Sequence, residues 1–139
     1  MVWQVYAVAG AFFAGLTAVL GRVGVRDVDS NLATAIRTVV ILVFAWGIVA
    51  AQGTYKSLTS LESRSLWFLV LSGVTTGLSW LFYFRALQVA PELSRVASLD
   101  KLSLVFAVVL AALFLHEALS LKIVLGVLLM TGGAVLLVR

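Results

Sequence analysis

The chain has 139 residues, of which 63% are hydrophobic and 12% charged, with a mean hydropathy of +1.14 and a formal net charge of +4. Soluble domains are only about half apolar, so this composition excludes a soluble globular protein and indicates an integral membrane protein. The basic residues are scattered singly, which argues against a nucleic-acid-binding surface, and the lack of cysteine excludes disulfides and thiolate chemistry.

Several stretches are apolar enough to cross the hydrocarbon layer, which takes about 20 residues per helix. The links between them are short and leave no room for a soluble domain. The N-terminal stretch lacks the positive region of a signal peptide, so we interpret it as the first span. The predicted fold class is an all-α bundle of five transmembrane helices, at about residues 2–20, 32–51, 66–88, 94–115 and 121–138.

The first two predicted helices carry one packing signal and one charge. Gly10 and Ala14 fall on one face of helix one, and small residues allow membrane helices to approach closely. Ser30 or Asn31 is predicted to cap helix two. Helix two is apolar apart from Arg37 near its start, which either extends towards the membrane surface or faces inward in a functional role.

Helix three combines small and aromatic residues on one face. Gly73 and Gly77 form a small-residue contact motif, which is common in membrane helices and specifies no particular partner. Trp80 and Tyr83 follow on the same face. They are candidates to line a substrate path, and packing in the bundle core is the alternative interpretation.

Helix four contains the adjacent charges Asp100 and Lys101. A charge near the bilayer centre costs at least about 2.5–3.5 kcal/mol, so such residues usually face a partner or a polar path. Ser98 shares a helical stripe with Lys101, and Asp100 points about a quarter-turn away. Lys101 could attract an anionic group or exchange a proton, and Asp100 could accept one; a structural ion pair is the alternative.

The last link and helix five contain residues that indicate a helix cap and close helix packing, and they contain no recognisable catalytic group. Ser120 is a predicted cap, and Gly126 with Gly133 forms a further small-residue face. His116 stands alone, without the second ligands that a metal site needs. We therefore predict no metal, no cofactor and no enzymatic activity.

Counting five spans places Arg37, Arg85 and Asp100 towards the same side of the membrane. Arg37 or Arg85 is then the predicted counter-ion of Asp100. Lys56, Arg64 and Lys122 belong to one side, and Arg22, Arg26, Arg95 and Arg139 to the other. This small bias gives little preference for one orientation, and two oppositely inserted copies would form an inverted-repeat assembly.

The C-terminal part, RALQVAPELSRVASLDKLSLVFAVVLAALFLHEALSLKIVLGVLLMTGGAVLLV, resembles the EamA repeat of the drug/metabolite transporter superfamily. The shared features are the turn at Ala90-Pro91, the run Val105–Ala107, the segment Glu117–Ser120 and the glycines of helix five. In two positions the chain departs from the family pattern: His116 stands where a glycine is usual, and Leu104 where many members have a proline.

The resemblance implies one five-helix EamA-like domain over residues 1–139, although many family members carry two such repeats. It also implies a transporter of small metabolites or drugs in the cytoplasmic (inner) membrane, with a cavity lined largely by helices one, three and four. Trp80, Tyr83, Ser98 and Lys101 are the candidates that this likeness favours for the cavity.

Five helices offer little lining for a gated path, so we expect a homodimer, parallel or antiparallel, that works by alternating access. The expected partners are the lipid bilayer and a small-molecule substrate, without nucleic acid. The alternative is an accessory or assembly subunit of a larger membrane complex, which would use its glycine-rich faces for contact and would not transport by itself.

Overall fold

The computed structural model describes residues 2–138, so Met1 and Arg139, the latter assigned above to one membrane side, lie outside the described residues. Within this range, five stretches are long and apolar enough to span a membrane, with α4 and α5 together forming one of them. The predicted all-α fold with five transmembrane helices is therefore confirmed. The elements are α1 (Val2–Gly24), α2 (Ser30–Gln52), a 3-10 helix (Thr54–Ser60), α3 (Ser63–Val89), α4 (Leu93–Asp100), α5 (Leu102–Phe114) and α6 (Leu121–Val138).

The start of α2 corrects the predicted cap. Asp29, and not Ser30 or Asn31, is the N-cap residue, and its carboxylate accepts hydrogen bonds from the amides of Asn31 (2.9 Å) and Leu32 (3.1 Å). An aspartate at this position also complements the positive end of the helix dipole. The prediction was wrong because the helix begins before its apolar pattern does, which moves the cap towards the N-terminus.

Two helices end at residues in the left-handed region. Gly53 (φ 70°) follows α2, and its amide donates to the carbonyl oxygen of Ala50 at 3.1 Å. His116 (φ 55°) follows α5 and is the one non-glycine residue of residues 2–138 with a positive φ. Glycine adopts this conformation without a steric penalty. The positive φ at position 116 therefore explains why a glycine is usual there in the similar proteins.

The fourth span is interrupted where the sequence predicts a continuous helix. α4 ends at Asp100, α5 begins at Leu102, and Lys101 lies between them. The amide of Lys101 donates to the carbonyl oxygen of Ser98 (3.2 Å), and the amide of Leu104 donates to that of Lys101 (3.1 Å). Both bonds join residues three apart, so the chain forms tighter 3-10 turns here, which often mark a hinge or local strain.

The chain divides into two compact units. The first comprises Met1–Leu20 with Val89–Arg139, and the second comprises Gly21–Gln88. In the first unit α6 packs against α4 and α5. The amide of Ile123 donates to the Ser120 hydroxyl oxygen at 3.3 Å, which confirms Ser120 as the cap of α6.

In the second unit the most deeply buried side chains lie at the ends of α1 and α3. Val25, Phe84 and Leu87 are almost completely buried. By contrast, the apolar stretch by which α3 qualifies as a membrane span contains no buried residue. Large apolar side chains such as Trp67 and Phe82 are exposed, as is expected of surfaces that face lipid.

Candidate functional site

Arg37 lies against two aromatic rings of α3. Its guanidinium carbon is 4.1 Å from the centre of the Phe84 ring and 5.8 Å from that of Trp80. A guanidinium over an aromatic face is attracted by the negative face of the ring. Arg37 is half-buried, and Phe84 is buried, so α2 and α3 hold this cation inside the second unit.

The Nε atom of Arg37 is buried and has no hydrogen-bond partner. A buried polar donor without an acceptor costs about 1–3 kcal/mol. The aromatic rings reduce this cost through their attraction to the charge, but they offer no oxygen. Within residues 21–88, Arg37 also forms no ion pair with an acidic side chain. Arg37 is therefore a cation with a hydrogen-bond donor still available to bind an anion.

The predicted path residues Trp80 and Tyr83 are both half-buried. The Tyr83 ring meets the Phe84 ring edge-on, with centroids 5.6 Å apart and an interplanar angle of 81°. Trp80 and Phe84 are one helical turn apart, and both face Arg37. The structure thus brings Arg37 and Trp80 together, with Phe84 as the ring that contacts both Arg37 and Tyr83.

Arg85, a predicted counter-ion of Asp100, contacts a neighbour on its own helix. Its Nη1 donates to the Gln88 side-chain oxygen at 2.8 Å. The Gln88 amide nitrogen in turn donates to the carbonyl oxygens of Val25 (3.2 Å) and Val28 (2.9 Å). Arg85 thus orients Gln88, which satisfies the two backbone carbonyls. Pairing of Asp100 with Arg37 or Arg85 stays a prediction.

Arg22 also donates a hydrogen bond to a backbone carbonyl, at the end of α3. Its guanidinium donates to the carbonyl oxygen of Leu87 in the last turn of α3. The last carbonyls of a helix have no partner within the helix and attract cations. Arg22 therefore satisfies a backbone carbonyl at the end of α3, and Gln88 satisfies two in the link after α1.

In the first unit, Asp100 and Lys101 lie at the interruption of the fourth span. Lys101 Nζ is 3.7 Å from a carboxylate oxygen of Asp100, and both side chains are about half exposed. Ser98 is buried, and its hydroxyl donates to the carbonyl oxygen of Ser94 at 2.7 Å. The two charges are thus neighbours in space as well as in sequence, at a point where the backbone departs from regular α-helix.

The glycines predicted to pack helices are open in the structure. A Cβ added to any of them would meet no atom within 4 Å, and this holds for Gly10, Gly73, Gly77, Gly126 and Gly133. Ala14 is exposed. Their use as contact faces stays a prediction.

Close approach occurs instead at Gly21, on the helical stripe of Gly10 and Ala14. A Cβ there would lie 2.6 Å from Phe84 Cε1 and 3.3 Å from Arg37 Nη1. The sequence places Gly21 on the packing face of helix one and Phe84 on the face of helix three that holds Trp80 and Tyr83. Neither residue was predicted to belong to the site, because the spacing along one helix does not show which faces of two helices meet.

The comparisons with known proteins agree with this description. The family model of the EamA-like transporter family matches residues 1–139. A curated protein of Sinorhizobium sp. named "Uncharacterized transporter in cobO 3'region" is 49% identical over 135 residues, which is 97% of this chain and 95% of that protein. No solved structure matches the chain.

Five apolar spans and charged groups within them define a multi-pass membrane protein. The chain belongs to the EamA-like transporter family. It is thus a membrane transporter of the drug/metabolite transporter superfamily, as its sequence motifs predict.

Proposed function

We propose that the chain is a single EamA-like domain of one five-helix repeat, and that it transports small metabolites or drugs across the cytoplasmic (inner) membrane as a homodimer by alternating access. The observation that carries this proposal is the charge pair Asp100–Lys101 at the interruption of the fourth span. Interrupted helices with polar groups at membrane depth are typical of transporter binding sites.

Two separate groups of residues are the pathway candidates. Ser98, Asp100 and Lys101 lie at the interruption of the fourth span. Arg37, Trp80 and Tyr83 lie together on α2 and α3. Charged and aromatic side chains give both groups the means to bind a polar small molecule. In this proposal Lys101 attracts an anionic group or exchanges a proton, and Asp100 accepts a proton.

The homodimer is supported by the number of spans. Five helices provide little surface from which to build a gated cavity, and many transporters place their site between two repeats. A second copy would supply the missing repeat. The small charge bias between the two sides favours an antiparallel pair, because it gives little preference for one insertion.

Transport is tested with the purified chain in liposomes. We expect uptake of at least one compound from a panel of labelled metabolites and drugs without any other protein. No transport by the isolated chain would favour the accessory-subunit alternative. Once a substrate is found, Asp100→Asn and Lys101→Met are expected to reduce its transport.

A second ion pair of the same unit provides matched controls. Glu92 and Arg95 form an exposed pair at 3.4 Å at the start of α4. Glu92→Gln and Arg95→Met therefore remove comparable charges without touching the interruption, and we expect them to transport normally. Normal transport by both Asp100→Asn and Lys101→Met would contradict the proposed role of these charges.

Orientation is tested by cysteine labelling, which a chain without cysteine permits. Single cysteines are placed at Ser57 and after the C-terminal residue, and intact cells are treated with an impermeant thiol reagent. Labelling of each site to about half supports oppositely inserted copies. Complete labelling of one site and none of the other would contradict the antiparallel dimer.

A further inference from the structure

The cluster formed by Arg37, Trp80 and Phe84, here called the Arg37 site, is a cationic site with aromatic walls. Phe84 lies 4.1 Å and Trp80 5.8 Å from the guanidinium carbon, measured to the ring centres. Gly21 leaves room on one side, because an added Cβ would lie 3.3 Å from Arg37 Nη1. The guanidinium is thus held by rings and by close backbone, and not by an acidic partner.

One hydrogen-bond donor of Arg37 has no partner. Arginine carries five N–H donors and no acceptor, and its Nε is buried without a partner. The acidic residues of this unit are Asp27, Asp29 and Glu62, and none of them forms an ion pair with Arg37. Asp29 uses its carboxylate to cap α2. The Arg37 Nε therefore keeps a donor for which none of these carboxylates is the acceptor.

A guanidinium fork binds planar oxyanions through two parallel hydrogen bonds, and it is weakly hydrated. We propose that Arg37 binds the anionic group of the transported molecule, so that the substrate is a small organic anion carrying a carboxylate or phosphate. This proposal rests on the transport function proposed above. Phe84 acts as a positioning residue, since its ring holds the guanidinium and leaves the donors available.

The depth of Arg37 favours a soluble substrate over a lipid headgroup. Arg37 is seven residues after Ser30, the first residue of α2, which corresponds to about 10 Å along the helix axis. Its guanidinium contacts rings of α3 at this level. Both a free anion and a lipid phosphate offer the same oxyanion chemistry, so the experiment must distinguish them.

The test is equilibrium binding to the purified full chain in an uncharged maltoside detergent. Trp3, Trp46 and Trp67 are changed to phenylalanine, which leaves Trp80, next to Arg37, as the fluorescent reporter. The probes are benzoate, inorganic phosphate and the uncharged benzoate analogue benzamide. We expect saturable binding of benzoate or phosphate, and binding of benzamide weaker by about tenfold or more, as loss of a charge-assisted hydrogen bond predicts.

Variants assign the binding to Arg37. Arg37→Gln is expected to weaken anion binding by about tenfold or more, and Arg37→Lys to retain part of it. Arg64→Gln is the matched control, because Arg64 lies at the other end of the second unit's α3. Circular dichroism verifies the helical content of each variant. The comparison of benzoate with benzamide is made on the protein with Arg37 in place, so it tests the proposal even if an Arg37 variant fails to fold.

Four results would overturn the proposal: no binding of either anion, equal binding of benzoate and benzamide, unchanged binding in Arg37→Gln, or displacement of benzoate by phosphatidylglycerol, which would assign the site to a lipid headgroup. The transport function is measured separately in liposomes. Transport of uncharged or cationic compounds without anion binding would contradict the anion proposal and support the transport function. Anion binding without transport would contradict the transport function and support Arg37 as an anion-binding residue.

Discussion

The guanidinium of Arg37 and the ring of Phe84 form a face-on contact of 4.1 Å between α2 and α3. The same ring also meets α1, because its edge occupies the space beside Gly21. One aromatic side chain therefore joins three helices at a single level. The lack of a side chain at Gly21 is what makes this approach possible.

Gly21→Ala is expected to destabilise the protein. The added methyl group would lie 2.6 Å from Phe84 Cε1, a distance that forces the buried ring or the helix to move, and overpacking of this kind costs about 1–3 kcal/mol. The measurement is thermal unfolding in detergent. Gly10→Ala is the matched control, since its methyl group would meet nothing within 4 Å; equal stability of the two variants would contradict the packing role of Gly21.

Gln88→Ala is expected to lower the unfolding temperature. It removes two hydrogen bonds to the carbonyl oxygens of Val25 and Val28 and the one that Gln88 accepts from Arg85, and each contributes about 0.5–1.5 kcal/mol. Thermal unfolding in detergent measures the loss. Gln52→Ala, at the exposed end of α2, serves as the control and should be close to neutral; a similar loss in both variants would argue against the carbonyl contacts as the cause.

Asp29→Ala is expected to cost about 1 kcal/mol of stability, because the amides of Asn31 and Leu32 lose their acceptor at the start of α2. Asp27→Ala removes the same charge from the preceding link and should have a smaller effect. Chemical unfolding of both variants in parallel decides the question. An equal loss would indicate that the charge of the link, and not the cap, is what matters.

His116→Gly is expected to stabilise the turn after α5. A non-glycine residue in the left-handed region costs about 1–2 kcal/mol, and His116 has φ 55°; the larger freedom of glycine in the unfolded chain offsets part of this gain. The unfolding temperature should therefore rise slightly for His116→Gly and not for His116→Ala. A decrease for the glycine variant would show that the histidine side chain contributes contacts that outweigh the strain.

The positions of the spans were predictable from sequence because each depends on a long apolar run. α6 begins and ends where predicted, and the hydroxyl of Ser120 accepts from an amide of its first turn. The polar ends were predicted less well. α3 begins at Ser63, ahead of the apolar run that predicts a start at Leu66. A hydropathy pattern detects lipid contact, whereas helix ends are decided by hydrogen bonds such as those of Asp29.

The candidate site was predictable in its charges and not in its contacts. Arg37, Asp100 and Lys101 are conspicuous because charges are rare in apolar helices. That Arg37 would lie on Phe84 depends on the separation and rotation of α2 and α3, which one sequence does not specify. The interruption at Lys101 was missed because neither proline nor glycine marks it; Leu104 stands where many family members have proline.

The interruption also changes the angular register of the fourth span. An α-helix turns about 100° per residue and a 3-10 helix about 120°, so two consecutive 3-10 bonds, from Ser98 to Lys101 and from Lys101 to Leu104, rotate the following residues by tens of degrees. A single helical wheel drawn through the whole span therefore assigns faces correctly on only one side of Lys101. Residues of α4 and α5 that such a wheel places on one stripe point in different directions, and a scan of this span should treat its two parts as separate helices.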